Sequence, residues 1–190
     1  MNIKPMLAVD HQKVKDLDPR MYLASGKIDG IRCVILRNND GRPEAFSRSL
    51  KPIPNKHVQY FLSREAYLGM DGELTVGRNF QESTSGIMSR NKVPDFFFWV
   101  FDFIDTSYLN LSFEERYDFI KNRLEGFGRQ STVQLLPSWS IGDMSLEDVN
   151  HQFVREGFEG CCLRRKGSPY KFGRSGTKNP ELVKVKTFKT

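Results

Sequence analysis

An α+β fold, with mainly antiparallel sheets flanked by helices, is expected of this chain of 190 residues. Three features carry that expectation. The stretches IRCVILR and PEAFSRS stand either side of NNDGR, whose Asp40-Gly41 pair is a strong hairpin signal. The run FFFWVFDFID is too apolar and aromatic for an exposed strand and reads as a central one, covered on both faces. Two helices are marked by their caps, Ser112 with Glu115 three residues on and Ser145 with Asp148.

Residues 1–24 form an entry segment, followed by LASGKIDG, in which Gly26 and Gly30 flank Lys27. Beyond the hairpin, KPIPNKHVQYFL opens as a Pro-punctuated loop and turns helical near His57. MDGELTV is a short buried strand, and NFQESTSGIMSRN a polar, Gly-broken loop with a short helix. In the helix after Ser112, Phe113, Tyr117, Ile120 and Leu124 recur at three- and four-residue spacing, and Gly126 offers a stop. TVQLLPSWS reads as one strand and SLEDVNHQFVREG as a second helix. FEGCCLRRK and ELVKVKTF are two further strands, joined by the basic Gly/Pro loop GSPYKFGRSGTKNP. Nothing repeats and no linker stands out, so residues 1–190 read as one domain.

Composition narrows the function classes. With 38% apolar residues and 15 Phe the chain can build a core. No apolar run reaches the length of about 18 that crosses a bilayer, and the N-terminus has no apolar signal region. Cys33, Cys161 and Cys162 are an odd number with two adjacent, which argues against a disulfide framework, and they lack zinc-site spacing. They read as small buried apolar residues of a cytoplasmic protein. The net charge of +6 and pI of about 9.3 favour polyanionic partners, nucleic acid first.

The chemistry centres on Lys27. A lysine beside a turn is ordinarily a solvated one, but Lys27 heads Lys27-Ile28-Asp29-Gly30-Ile31-Arg32. This K-x-D-G-x-R pattern resembles the signature of the covalent nucleotidyltransferases, which include ATP-dependent DNA ligases, RNA ligases and mRNA-capping guanylyltransferases. Further elements resemble that family in order: Phe46-Ser47-Arg48, Asp71-Gly72-Glu73-Leu74, Phe98-Trp99-Val100-Phe101-Asp102, Glu159-Gly160-Cys161-Cys162-Leu163-Arg164 and Leu182-Val183-Lys184-Val185-Lys186. Lys4-Pro5-Met6-Leu7-Ala8 resembles the start of phage and viral ligases.

The resemblance, to the adenylation domain of phage- or viral-like ATP-dependent DNA ligases, covers nearly all of the chain. It implies an ATP-grasp-like nucleotidyltransferase domain. It implies that Lys27 attacks ATP to form a lysyl-AMP phosphoramidate, that AMP passes to the 5′-phosphate of a nick, and that the 3′-hydroxyl closes the backbone. Lys184 and Lys186, alternate residues of one strand, share a face and would supply positive charge beside Lys27 and the phosphates. By the same resemblance Glu159 helps hold a magnesium ion and Glu73 a ribose hydroxyl. Arg32, Arg48 and Arg174 suit forked binding of phosphate or carboxylate. Phe101, directly before the Asp of its strand, offers a flat face to the purine. The expected cofactors are ATP, with AMP as the covalent adduct, and Mg2+, and the expected partner is nicked duplex DNA, met by a monomer in the cytoplasm, the host's if the source is viral.

Capping enzymes usually show an aspartate where EGCCLRR has Glu159, and RNA ligases often lack an arginine at the position of Arg32. The intact Lys27, Glu159, Lys184 and Lys186 speak against a non-catalytic nucleic-acid-binding module. Ligases of this family continue into an oligonucleotide-binding-fold domain; with Thr190 last, that C-terminal OB-fold domain is expected to be absent.

Overall fold

The structure, a computed structural model, describes residues 3–107, 110–128 and 132–186. Its strands are β1 (Met6–Leu7), β2 (Val9–Asp10), β3 (Tyr22–Gly26), β4 (Ile31–Arg37), β5 (Pro43–Phe46), β6 (Met70–Val76), β7 (Phe96–Phe103), β8 (Val133–Leu135), β9 (Ser138–Ser140), β10 (Cys161–Arg165), β11 (Gly173–Arg174) and β12 (Leu182–Val185). Its helices are α1 (Lys56–Leu62), α2 (Phe80–Ile87), α3 (Phe113–Glu125) and α4 (Leu146–Arg155). The elements fall into two compact units: residues 1–28, 107–116 and 136–190, and residues 29–106 and 117–135.

The first unit holds a five-stranded sheet in the order β2-β12-β10-β3-β9 and the parallel pair β1-β11. The inner pairs of the large sheet are antiparallel, and only β2 joins in parallel. Strand alternation sends Tyr22, Ala24, Cys161, Leu163, Val183 and Val185 to one face, where they form a core with Val149 and Phe153 of α4. Ser25, Cys162 and Lys184 share a row on the other face. Ser145 caps α4 by accepting from the Asp148 N–H at 3.1 Å, the expected box.

In the second unit the sheet order is β5-β4-β6-β7-β8, antiparallel except for β7 with β8. The β4–β5 hairpin turns at the expected dipeptide, with Gly41 at φ 77°. Ile35, Met70, Leu74, Phe98, Val100 and Phe103 face the core, with Val58 and Leu62 of α1 and Ile120 of α3. The other face carries Arg32, Glu73 and Trp99 side by side in register.

A bulge marks β7. Asp71 pairs with Asp102 while Gly72 pairs with Val100, so Phe101 is the extra residue. The bulge shifts the alternation by one, leaving Phe101 on the face of Trp99 and returning Phe103 to the core. Phe97 and Trp99 are half-buried, so β7 is fully covered on one face only.

NFQESTSGIMSRN holds its expected short helix, α2, capped by Asn79. Other expectations shift locally. TVQLLPSWS is two strands, separated at Leu136-Pro137, and they join different sheets. Proline has no N–H to give to a ladder, which makes Pro137 a natural break. ELVKVKTF shortens to Leu182–Val185, with Thr187 and Phe188 outside the described residues. The Ser112–Glu115 box forms as expected, the carboxylate accepting from the Ser112 N–H at 2.7 Å. Among the described residues no helix is long and apolar enough to cross a membrane.

Candidate active site

Three of the expected residues meet in the first unit, and register explains why. Strand β3 ends at Gly26, paired with Cys161 at the start of β10, which pairs in turn with Val185 at the end of β12. The next residue past each end is Lys27, Gly160 and Lys186 respectively, with Glu159 one further back. Reciprocal backbone bonds tie the two turns: the Lys27 N–H donates to the Gly160 carbonyl at 2.9 Å, and the Glu159 N–H to the Lys27 carbonyl at 3.1 Å. Glu159 lies between the two lysines: one carboxylate oxygen pairs with Lys27 Nζ, the other with Lys186 Nζ at 2.6 Å.

Burial pushes the Glu159 carboxyl up, but the hydrogen bonds and charges of Lys186 and Lys27 outweigh it, holding the group below the usual carboxylate range. Glu159 therefore stays ionised at neutral pH. Lys186 was expected beside Lys27; it reaches the site through the shared carboxylate, from just past the strand. Lys184 is half-buried and its backbone is paired within the sheet, but no hydrogen bond or ion pair joins its side chain to any of the described residues.

Asn150, which sequence reasoning missed, and Gly160, which it quoted only within a motif, hold this arrangement. Asn150 of α4, 1% exposed, accepts from the Cys161 N–H at 3.2 Å and donates to the Lys186 carbonyl at 2.9 Å. It thereby fixes the strand ends that carry Glu159 and Lys186. Gly160, at φ 153°, leaves no room for a side chain, since a Cβ there would press on the Val185 carbonyl and on Asn150. A polar residue on the buried stripe of an amphipathic helix was the available signal for Asn150. Arg174 lies on β11 and is exposed, its guanidinium donating to the Ala8 carbonyl at 2.7 Å.

The second unit gathers another group. Arg32 makes a forked pair with Asp71 at 2.6 and 2.7 Å, and Asp71 is completely buried. The Arg32 guanidinium also lies over the Phe101 ring, 4.9 Å from its centroid. The expected fork of Arg32 is thus made to a carboxylate of its own sheet, and Phe101, 8% exposed, packs beneath it. Glu73 is half-buried beside Arg32 in the register, and Gly30 is needed there because a Cβ would meet Glu73 and the Leu74 carbonyl. Arg48 sits exposed on the turn after β5, with no hydrogen-bonding or ionic partner among the described residues. Asp71 is the missed partner here; Asp71-Gly72-Glu73 was legible as an acidic strand, but its pairing with Arg32 depends on strand register.

Comparison with known proteins puts these groups in context. Residues 5–186 match the family model for the ATP dependent DNA ligase domain. A DNA ligase of African swine fever virus (Tick/Malawi isolate) is 25% identical over 181 residues, 90% of this chain and 42% of the relative. The chain thus spans less than half the length of that curated relative. The crystal structure of chlorella virus DNA ligase-adenylate superposes with a TM-score of 0.82 at 30% identity, over 98% of this chain and 69% of that one. The ATP-dependent DNA ligase from bacteriophage T7, in complex with ATP, shares the fold, with a TM-score of 0.71 at 22% identity over 96% of this chain and 68% of that one. With the model matched almost from end to end, and the lysines and glutamate of the motifs drawn together at one end of a sheet, the chain belongs to the ATP-dependent DNA ligase domain family.

Proposed function

We propose that residues 1–190 act as one adenylation module, in which Lys27 takes AMP from ATP and passes it to the 5′-phosphate of nicked duplex DNA, whose 3′-hydroxyl then closes the backbone. The observation that carries this reading is the meeting of Lys27, Glu159 and Lys186 at the ends of three adjacent strands. The names of the relatives support it: one is a DNA ligase solved as its adenylate, another a ligase with ATP bound.

In the first step Lys27 loses its proton to solvent and with it the pairing to Glu159, and the neutral amine attacks the α-phosphate, forming the P–N bond as the P–O bond to pyrophosphate breaks. An ordinary lysine is protonated at neutral pH, so the pairing marks the resting enzyme. The half-buried ammonium of Lys184 has no counter-ion among the described residues and is the cation to set against developing phosphate charge. Lys186 joins it as Glu159 is drawn to other positive charge. Glu159 is the residue to hold a magnesium ion, whose chemistry there is to neutralise phosphate oxygens. No three His, Cys, Asp or Glu side chains form a metal-binding group among the described residues. One carboxylate, with phosphate and water supplying the other oxygens, is a common magnesium arrangement. In the second unit Glu73 takes a ribose hydroxyl, and Arg32 and Phe101 serve the nucleotide as one packed group. Arg48, and Arg174 with its remaining donors, take phosphate.

The test is intact mass and peptide mapping after incubation with ATP and magnesium. AMP should appear on the Lys27 peptide, and Lys27→Ala should abolish it. Adenylation that persists in that variant, on another lysine, would sink the assignment. Presenting matched DNA and RNA nicks to the adenylated protein then reads the substrate class.

A further inference from the structure

Outside the residues used above, the second unit carries a basic ridge assembled by one buried side chain. Asn55 is fully buried. Its carbonyl caps α1 by accepting from the Val58 N–H at 2.9 Å. Its amide donates to the carbonyls of Gly86, Ser89 and Lys92 at 3.2, 2.6 and 2.9 Å. The Lys56 N–H adds a bond to the Arg90 carbonyl at 3.1 Å. These contacts hold the segment after α2 against the start of α1, bringing Lys56 beside Arg90 and Lys92 although more than thirty positions separate them in sequence.

Helical spacing extends the ridge. Tyr60 lies one turn beyond Lys56, 78% exposed, and the Arg64 guanidinium stands 6.0 Å from its ring centroid. The four cations are exposed, and none of them pairs with a carboxylate among the described residues. Asp95, also exposed, is the single acid between residues 83 and 95. Lys92 donates to the Ser85 hydroxyl at 2.8 Å. Cations without carboxylate partners on a fixed backbone, interleaved with an exposed aromatic ring, suit a row of phosphates rather than a protein partner.

We infer that Lys56, Arg90 and Lys92, continued by Tyr60 and Arg64, form a contact surface for the phosphate backbone of duplex DNA. The inference rests on the DNA ligase reading for its choice of polyanion. It makes the ridge a determinant of DNA affinity and salt sensitivity, with no part in adenylation.

The experiment uses the full chain and a fluorescent nicked duplex, with affinity measured across a salt series. Each phosphate contact contributes roughly 0.9 to the slope of log affinity against log salt. Substituting Lys56, Arg90 and Lys92 together by alanine should flatten that slope by about 2 to 3 and weaken binding at least tenfold at low salt. Arg64→Ala alone, on a separate element, should flatten it by roughly 0.9. The charge-keeping set Lys56→Arg, Arg90→Lys and Lys92→Arg should restore both slope and affinity. Adenylation from labelled ATP, read in parallel, should stay within twofold throughout. Unchanged affinity and slope in the alanine variants, or a charge-keeping set that fails to restore them, overturns the inference. Loss of adenylation in the unmodified protein would instead count against the ligase reading, because DNA binding is read without any chemistry.

Discussion

At the scale of single residues, one carboxylate holds two ammonium groups, and a third lysine stands apart from both. Glu159 pairs with Lys27 and Lys186, while the ammonium of Lys184, one alternation inward, has no polar partner among the described residues. The two closing lysines therefore differ in the resting state, though the proposed mechanism sets both against the reacting phosphate. Lys184→Ala and Lys186→Ala should each slow formation of the lysyl-adenylate more than tenfold, about 1.4 kcal/mol of barrier or more. Single-turnover labelling with ATP measures this, and near-normal rates in both variants would leave the pair as a solvated strand end. The meeting of Lys27, Glu159 and Lys186 was legible because each stands in a short motif whose residue types chemistry restricts. Asp71 and Asn150 were not, because their importance lies in partners far off in sequence: Arg32, 39 positions away, for Asp71, and Lys186, 36 positions away, for Asn150.

Elements follow the same division between local and distant causes. The Ser112 and Ser145 caps and the Asp40-Gly41 turn formed where local chemistry demanded, since each is settled within four or five residues. The β7 bulge was not legible: an extra residue in one strand shows only against its partner, and it decides that Phe103 returns to the core face. The fate of TVQLLPSWS was likewise hidden, because the two halves pair with strands of different sheets. Asn55 combines both kinds of cause, acting as a helix cap by local rule and as a loop anchor by tertiary placement. Asn55→Ala removes the cap, worth about 1 kcal/mol, and leaves carbonyls short of donors, so the total loss should be roughly 3 kcal/mol. For a chain of this size that is a fall in Tm of roughly 6–12 °C. Asn55→Ser keeps a capping oxygen without the amide donors and should fall between the two. Thermal melts that rank serine level with alanine would show that the cap contributes little.

For the whole molecule, the α+β class and the antiparallel bias were legible, whereas the division into two compact units was not. The first unit collects three separated stretches of chain, and no change in composition marks where the chain leaves or rejoins it. Each unit has its own core and its own share of the proposed nucleotide residues: Lys27, Glu159, Lys184, Lys186 and Arg174 in one, Arg32, Arg48, Glu73 and Phe101 in the other. ATP held by residues of either unit links the folding of that unit to ligand. A ligand that binds only the native state adds about 2.7 kcal/mol at a hundred times its dissociation constant. At 2–4 °C per kcal/mol for a chain of this size, saturating ATP with magnesium should raise Tm by roughly 5–11 °C. The covalent step adds a second signature. After desalting, the unmodified protein should keep part of the gain as lysyl-AMP, whereas Lys27→Ala should gain with ATP present and return to its starting Tm once the nucleotide is removed. A shift in the unmodified protein that vanishes on desalting, alongside confirmed adenylation, would mean that the bound AMP does not stabilise the fold. No shift with ATP in either protein would show that the residues gathered here do not bind it.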